Sequence, residues 1–198
     1  HLSDGRVEFG TGRGASPYHI EAFGITSEQS KELWDESLNV ISSMFLNDPF
    51  PGWQGKWYQD LPQRHLVPKP VQKPHPPIAL GTITSGGLQH VVDYCDGWCP
   101  LDAKIENFPA MIKDLHQRCE KAGRDPSSIA LMIFVWGDPN ESLLASYHEM
   151  GIGTVILGAG REEPDVSDAV LPFLDRYNRG VHSTMTFGHD FKSGNVVR

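Results

Sequence analysis

The sequence alternates short apolar, β-rich segments with longer amphipathic segments along most of its length. Strands alternating with helices of about 10–20 residues form βα units around a parallel sheet. We therefore predict an α/β fold. The five segments predicted as strands are residues 6–11, 77–83, 97–101, 129–136 and 154–157.

The amphipathic segments between these strands predict helices. In the clearest of them, Ile112, Leu115 and Cys119 fall on one face at helical spacing, and Gly123 is placed to end the helix. In the longest, Ser27 is the predicted N-cap. The segments predicted as helices are residues 27–46, 88–94, 105–122, 139–150 and 166–179.

A proline-rich segment interrupts the pattern after the first long helix. Eight of the 15 prolines lie in residues 47–77, which excludes a helix and disfavours a central strand. We predict a long excursion, called the arm (residues 47–76), with a small hairpin around residues 55–61. A segment of this kind is often a lid or an interface, but a static arm packed on the domain explains the pattern equally well. Residues 1–179 are predicted as one domain and 180–198 as a loosely ordered tail.

Composition narrows the class of protein. The chain has 198 residues and a formal net charge of −8, which argues against nucleic acid or an anionic membrane as the main partner. The longest uncharged apolar stretch, Ser127–Gly137, is far shorter than the roughly 20 residues that cross a bilayer. Three cysteines fit a reducing cytoplasm, so we expect a cytoplasmic protein. Because the first residue is His1, we also expect a fragment of a longer protein.

Two glycine-rich turns follow predicted strands. The first, Gly10-Thr11-Gly12-Arg13-Gly14, lacks the spacing and the distant acidic residue of a dinucleotide fingerprint. It does offer a bare backbone and one permanent cation, and Arg13 can bind a phosphate through two parallel hydrogen bonds. Taken alone, the motif fits a tight turn with a surface arginine somewhat better.

The second turn is Thr82-Ile83-Thr84-Ser85-Gly86-Gly87, again between a strand and a helix. Free backbone N–H groups at a helix N-terminus bind anions, although ordinary capping by Thr84 or Ser85 explains the same residues. Two such turns in one chain together favour a phosphate between them. No metal site is predicted, because the spacing of Cys95 and Cys99 does not match a zinc pair and the nine histidines form no ligand motif.

Several segments resemble the luciferase-like monooxygenase family, whose members are flavin- or deazaflavin-dependent oxidoreductases on a (β/α)8 TIM-type barrel. The resemblance runs from about residue 2 to residue 160, and its proline-rich motif is specific. The segments that carry it include LSDGRVEFGTGRG (2–14), LVPKPVQKPHPPIALG (66–81) and YCDGWCPL (94–101).

This resemblance implies that residues 6–11 form the fourth barrel strand, so that about five of eight βα units are present. Arg13 then matches an arginine that contacts the cofactor phosphate, and Ser16 lies near a position that flanks the flavin. The turn after the fifth strand binds the same phosphate, although its sequence departs from the usual Gly-Gly-Gly-Ser. The implied cofactor-binding residues are Gly12, Arg13, Gly14, Ser16, Thr84, Ser85, Gly86 and Gly87.

The resemblance implies an oxidoreductase that uses reduced FMN to insert one atom of O2 into a small organic substrate, with a separate flavin reductase as a partner. Hydride transfer with the deazaflavin coenzyme (F-420 type) and a non-catalytic, truncated binding subunit are the alternatives. The catalytic residues stay unassigned, because the family carries its best-known catalytic histidine in the first three units. Five parallel strands leave two open edges, so we expect association, most simply a homodimer.

Overall fold

The computed structural model of the chain describes residues 1–14, 16–102, 105, 107–136 and 140–158. These residues form two compact units that divide after Ile78. The first contains β1 (Phe9–Thr11), α1 (Pro17–Ala22), α2 (Ser27–Leu46) and the arm. The second begins within β2 (Ile78–Leu80) and continues through α3 (Ser85–Tyr94), β3 (Gly97–Trp98), α4 (Phe108–Lys121), β4 (Ala130–Trp136), α5 (Glu141–Glu149) and β5 (Thr154–Gly158).

The strands are parallel and follow one another in the sheet in chain order, β1-β2-β3-β4-β5. In the second unit, Leu80 pairs with Trp98, and Trp98 with Leu131. Further along the sheet, Ile133 pairs with Val155. A helix follows each of the strands β2, β3 and β4, as parallel pairing requires. The predicted α/β fold with five parallel strands is confirmed.

The core of the second unit lies between its helices and the sheet. Full burial of one large apolar side chain stabilises a fold by about 1.5–3 kcal/mol. The buried side chains of this core therefore account for a large part of the unit's stability. The spacing that predicted α4 is the spacing of its buried face. Five residues that are completely buried are Leu88, Val91, Leu115, Cys119 and Ile133.

Local signals set the helix ends. Gly123 has a φ of 69° directly after α4 and donates its N–H to the Glu120 carbonyl at 3.0 Å, as predicted from its position. The predicted N-cap of α2 is wrong by one residue. Thr26, rather than Ser27, caps the helix, because its hydroxyl accepts the Gln29 N–H at 3.2 Å while the Gln29 side chain accepts the Thr26 N–H at 2.8 Å.

Strands β1 to β4 are shorter than predicted, whereas β5 is one residue longer. In the first, Arg6 donates its N–H to Ser3 in a turn, and the Val7 carbonyl accepts the Gln72 side-chain amide at 2.6 Å. Because these bonds use the Arg6 N–H and the Val7 carbonyl, these groups are not available for hydrogen bonds between strands, and β1 begins at Phe9. The sequence analysis also missed α1, whose signal is a proline at its first position, Pro17.

The arm contains an antiparallel hairpin that is wider than predicted. Phe50 and Arg64 exchange backbone hydrogen bonds of 2.8 and 3.1 Å, and Trp53 and Leu61 do the same at 2.8 and 3.1 Å. Gly52 has a φ of 92°, and a Cβ at this position would lie 2.7 Å from the Leu61 carbonyl oxygen. The hairpin therefore needs glycine there.

One carboxylate of α2 holds the tip of this hairpin. Glu36 accepts four hydrogen bonds of 2.9–3.1 Å, from the backbone N–H groups of Lys56, Trp57 and Tyr58 and from the Trp53 indole. Burial acts to raise the pKa of Glu36, but these hydrogen bonds outweigh it and hold the pKa below its ordinary value. Glu36 is therefore the ionised anchor of the arm.

Two further contacts fix the arm within the first unit. Lys69 donates to the Met44 and Asn47 carbonyl oxygens, both at 2.6 Å, and so satisfies the C-terminal end of α2. Phe50 is completely buried. Within its own unit the arm is thus an anchored element, and its service as a lid or an interface stays a prediction.

Two sequence predictions fall outside the described residues, namely the helix at 166–179 and the loosely ordered tail at 180–198. In the part of the chain that is described, no helix combines the length and the apolar character needed to span a bilayer.

Replacing Glu36 by Gln should loosen the arm above pH 4.5, because an amide cannot accept all four hydrogen bonds. A carboxyl group with a lowered pKa stabilises the fold fully above its unfolded value of 4.5. That contribution is lost as the pH falls through the folded value. The difference in melting temperature between wild type and Glu36→Gln should therefore be largest near neutral pH and should decrease as the pH falls. Thermal melts from about pH 3 to pH 7 measure it.

Glu32→Gln is the matched control, since Glu32 pairs with Lys56 at the exposed surface only. Its melting temperature should stay close to that of the wild type at every pH. An equal loss in both variants would show that general charge, and not the Glu36 contacts, holds the arm.

Candidate functional site

The first glycine-rich turn begins where β1 ends. The Trp34 indole of α2 donates to the Thr11 hydroxyl at 2.9 Å and so fixes the end of this strand. Arg13 is exposed and bonds to none of the other described residues. Gly14 has a φ of 92°, a conformation that favours glycine. Arg13 is therefore available as a binding cation, held on a short and conformationally specific turn.

Ser16 lies two residues after this turn and caps α1 with its backbone only. Its carbonyl oxygen accepts the N–H groups of His19 and Ile20 at 3.1 and 3.2 Å, while its hydroxyl makes no capping hydrogen bond. The hydroxyl is thus not used by the helix that it precedes. This observation is compatible with the binding role that the resemblance implies for Ser16.

The second turn lies between β2 and α3, in the second unit. Thr84 is the N-cap of α3, and its hydroxyl oxygen accepts the Gly87 N–H at 3.1 Å. Within the described ranges, the backbone N–H groups of Ser85 and Gly86 bond to no other group. Because the positive end of the helix dipole coincides with these N–H groups, the first turn of α3 is suited to bind an anion.

The two glycines of this turn have different surroundings. A Cβ on Gly87 would overlap the Thr82 side chain, since it would lie only 2.7 Å from the Thr82 Cβ. This conformation of the turn therefore requires glycine at residue 87. A Cβ on Gly86 would meet nothing within 4 Å. Gly87 is therefore needed for the fold, whereas Gly86 keeps open the space beside the free N–H groups.

Trp98 supports this turn from the neighbouring strand. Its indole N–H donates to the Thr82 carbonyl oxygen at 2.9 Å, and the residue is almost fully buried. The sequence analysis placed Trp98 in a motif of the family resemblance without giving it a role. A tryptophan at the end of a short buried strand is the one signal that could have pointed to it.

The hydroxyl of Ser85 is bonded to the next helix rather than directed at the turn. It accepts a hydrogen bond of 2.6 Å from Arg118 Nη2 and donates one of 3.1 Å to Asp114 Oδ2. Arg118 also bonds Asp114 through Nε at 2.9 Å. The Arg118 hydrogen bonds, with burial acting against them, lower the pKa of Asp114. Sequence reasoning found neither Asp114 nor Arg118, because their bonds to Ser85 span 29 and 33 residues.

The cysteines and histidines of the described residues form no disulfide and no metal cluster. All three cysteines are free thiols. Burial raises the pKa of Cys95 to about 12, so its thiol stays protonated and unreactive at neutral pH. Among the residues described, no three His, Cys, Asp or Glu side chains come together as a metal site.

Residues 1–177 match the family model of the luciferase-like monooxygenases. The chain belongs to this family. The family relationship covers both compact units and both glycine-rich turns, including all eight residues that the sequence resemblance implied as cofactor-binding: Gly12, Arg13, Gly14, Ser16, Thr84, Ser85, Gly86 and Gly87.

Several solved structures share the fold. A riboflavin lyase (RcaE) with modified FMN and the substrate riboflavin aligns over 76% of the chain, with a TM-score of 0.59 and 15% identity. An F-420-dependent secondary alcohol dehydrogenase aligns over 74% with a TM-score of 0.57 and 16% identity. The long-chain alkane monooxygenase LadA aligns over 76% with a TM-score of 0.55 and 17% identity.

The chain spans less than half the length of these relatives. It covers 39%, 45% and 41% of the three structures. Two matching curated proteins are covered over 23% of their length. Together with the five parallel strands, these likenesses show part of a luciferase-like TIM barrel.

Replacing Gly87 by Ala should destabilise the second unit by about 1–3 kcal/mol, because the new methyl group overlaps Thr82. Gly86→Ala is the matched control, since its methyl group enters open space and its stability should stay within about 0.5 kcal/mol of wild type. Urea unfolding of both variants measures this. Equal losses would show that the crowding around Gly87 is not what closes the turn.

Proposed function

We propose that this chain is part of a flavin-dependent monooxygenase that uses reduced FMN to insert one oxygen atom of O2 into a small organic substrate. The observation that carries the proposal is the first turn of α3, where the free N–H groups of Ser85 and Gly86 meet open space. Its support is the family membership and the presence of a monooxygenase, LadA, among the structural neighbours.

The residues of the second turn fit a phosphate group. Two unpaired backbone N–H groups can donate to phosphate oxygens, and the helix dipole favours the negative charge there. Thr84 accepts the Gly87 N–H through its hydroxyl oxygen, and its hydroxyl hydrogen can donate either to Thr82 Oγ1, 3.5 Å away, or to a ligand. The space beside Gly86 lets a ligand approach the backbone closely.

The chain's own residues would bind and orient the cofactor. Bound FMN, once reduced, supplies the electrons that activate O2. Thr84, Ser85 and Gly86 would hold its phosphate through the N–H groups and the hydroxyl described above. Fixing the phosphate reduces the freedom of the whole cofactor, so these contacts contribute positioning rather than chemistry.

We further propose Arg13 as a phosphate-binding cation, with Gly12 and Gly14 allowing its turn and Ser16 offering a free hydroxyl. The support is that Arg13 is exposed and bonds to none of the other described residues. A guanidinium group matches two phosphate oxygens with parallel hydrogen bonds.

Hydride transfer with the deazaflavin coenzyme (F-420 type), without oxygen chemistry, is the second candidate function. The observation that favours it is the F-420-dependent secondary alcohol dehydrogenase among the structural neighbours. Under the monooxygenase proposal, a separate flavin reductase supplies reduced FMN. A homodimer and a cytoplasmic location are proposed as well, the location being supported by the three free cysteines.

Arg13→Ala should weaken the binding of FMN by about 1.5–3 kcal/mol, the worth of hydrogen bonds to charged groups. Riboflavin, which lacks the phosphate, should bind with nearly unchanged affinity. Fluorescence titration of the full natural protein with FMN, riboflavin and the deazaflavin coenzyme measures both effects. Arg6→Ala is the matched control, because Arg6 is an exposed arginine that precedes β1.

Equal losses for FMN and riboflavin would overturn the assignment of Arg13. Tight binding of the deazaflavin coenzyme with no binding of FMN would replace the monooxygenase by the hydride-transfer enzyme. Binding of neither coenzyme would overturn both functions.

A further inference from the structure

We propose that Asp114 and Arg118 of α4 are positioning residues that hold the Ser85 side chain away from the anion, so that the turn recognises phosphate through backbone N–H groups and the Thr84 hydroxyl. The inference rests on the proposed function and deepens it. It concerns the hydrogen-bonded group of Ser85, Gln89, Asp114 and Arg118, called the α3–α4 latch.

The bonds of Ser85 exhaust its capacity to donate. A serine hydroxyl has one hydrogen, and this hydrogen is directed to Asp114 Oδ2 at 3.1 Å. The oxygen also accepts from Arg118 Nη2 at 2.6 Å. No donor of this side chain remains for a phosphate oxygen, whereas the backbone N–H of the same residue is free.

The guanidinium group of Arg118 is equally committed. It donates to both carboxylate oxygens of Asp114, at 2.9 and 3.2 Å, and to Ser85. Its Nη1 donates to Gln89 Oε1, one turn further along α3, at 3.3 Å. These bonds attach two successive turns of α3 to α4, and they use four N–H directions of a rigid planar group.

The latch explains how the first turn of α3 can stay ordered while two of its N–H groups are unpaired. Helix ends fray because they lack backbone partners. Side-chain bonds from Arg118 to the first and second turns of α3 replace part of what is missing. The free N–H groups of Ser85 and Gly86 are therefore held in place before a ligand arrives, which lowers the entropy lost on binding.

The variant Asp114→Asn distinguishes the positioning role of Arg118 from a direct ionic contact with the phosphate, because the two roles predict opposite changes in FMN affinity. If Arg118 acted on the phosphate mainly by its charge, Asp114→Asn would remove a nearby negative charge and strengthen FMN binding. If the latch positions the turn, Asp114→Asn weakens FMN binding, because an amide cannot accept both guanidinium bonds and the Ser85 hydrogen. The sign of the change separates the two roles.

The experiment measures the ratio of FMN affinity to riboflavin affinity in the full natural protein. Ser85→Ala, Asp114→Asn and Arg118→Ala should each lower this ratio by about tenfold, the equivalent of one charged hydrogen bond. The double variant Ser85→Ala/Arg118→Ala should lose no more than Arg118→Ala alone, because the bond between Ser85 and Arg118 is already absent in that variant. Arg118→Lys keeps the positive charge but loses the planar guanidinium group and its parallel hydrogen bonds. Its affinity ratio should therefore stay as low as that of Arg118→Ala.

Arg124→Ala is the control for a general loss of stability in α3 that leaves the first turn of this helix unchanged. Arg124 donates to the Val92 carbonyl oxygen at 2.8 Å, at the opposite end of α3. This variant should lower the melting temperature, as the latch variants do, without changing the affinity ratio.

Several outcomes would overturn the proposal. An increased ratio in Asp114→Asn together with restoration by Arg118→Lys would make Arg118 a direct phosphate partner. Additive losses in the double variant would make the Ser85 hydroxyl a ligand itself. Lower melting temperatures with unchanged ratios would leave the latch a structural element only.

Failure of the proposed function is recognised separately. If the wild type binds FMN no better than riboflavin, the phosphate site itself is wrong. The latch is then decided by amide hydrogen exchange at Gly87 and Leu88, whose N–H groups both bond to Thr84 at 3.1 Å, in the ligand-free protein. Faster exchange in Arg118→Ala than in Arg124→Ala supports it, and equal exchange overturns it.

Discussion

Parallel strand pairing is the constraint on which the rest of this structure depends. Parallel neighbours cannot be joined by a short turn, so each strand is followed by a crossover that carries a helix. All strands then end at the same edge of the sheet, where the loops that lead into the helices must lie. In the second unit this places the turn at residues 82–87 directly at the start of α3. Ligand sites of parallel α/β proteins occur at such edges.

Long polar side chains complete the helix ends that backbone bonding leaves open. Lys69 reaches the C-terminal carbonyl groups of α2, and Arg124 reaches those of α3. Arg118 acts at the other end of α3, through the Ser85 side chain. Lys69 and Arg124 satisfy carbonyl groups at helix C-termini, whereas Arg118 holds the first turn of α3 and leaves its N–H groups free. The helices therefore depend on tertiary contacts as well as on their own sequence.

The fold could be predicted largely from local sequence. Strand positions, the long helix at 27–46 and the terminator Gly123 follow from periodicity and capping, which act over a few residues. The exact ends of β1 could not be predicted, because Gln72 competes for the Val7 carbonyl from 65 residues away.

The candidate site, like the fold, combines features that local sequence predicts with features that depend on tertiary packing. The anion-binding character of the turn at 82–87 follows from its glycines and hydroxyls, which are neighbours in the chain. The destination of the Ser85 hydroxyl depends on where α4 packs, and neither Asp114 nor Arg118 has a local signature. A sequence motif can therefore name a binding turn without showing which of its atoms are still free.

The anchoring of the arm by Glu36 has a consequence for how this protein can change. Three of the four bonds to Glu36 come from backbone N–H groups, at residues 56–58, and backbone groups are present whatever the side chain. Apart from proline, substitutions at these three positions keep the anchor, while Glu36 and Trp53 have to be retained. The bonds to Glu36 therefore persist through sequence variation at residues 56–58, in evolution or by design, and such changes cost only side-chain contacts such as that of the Tyr58 hydroxyl with Ser37.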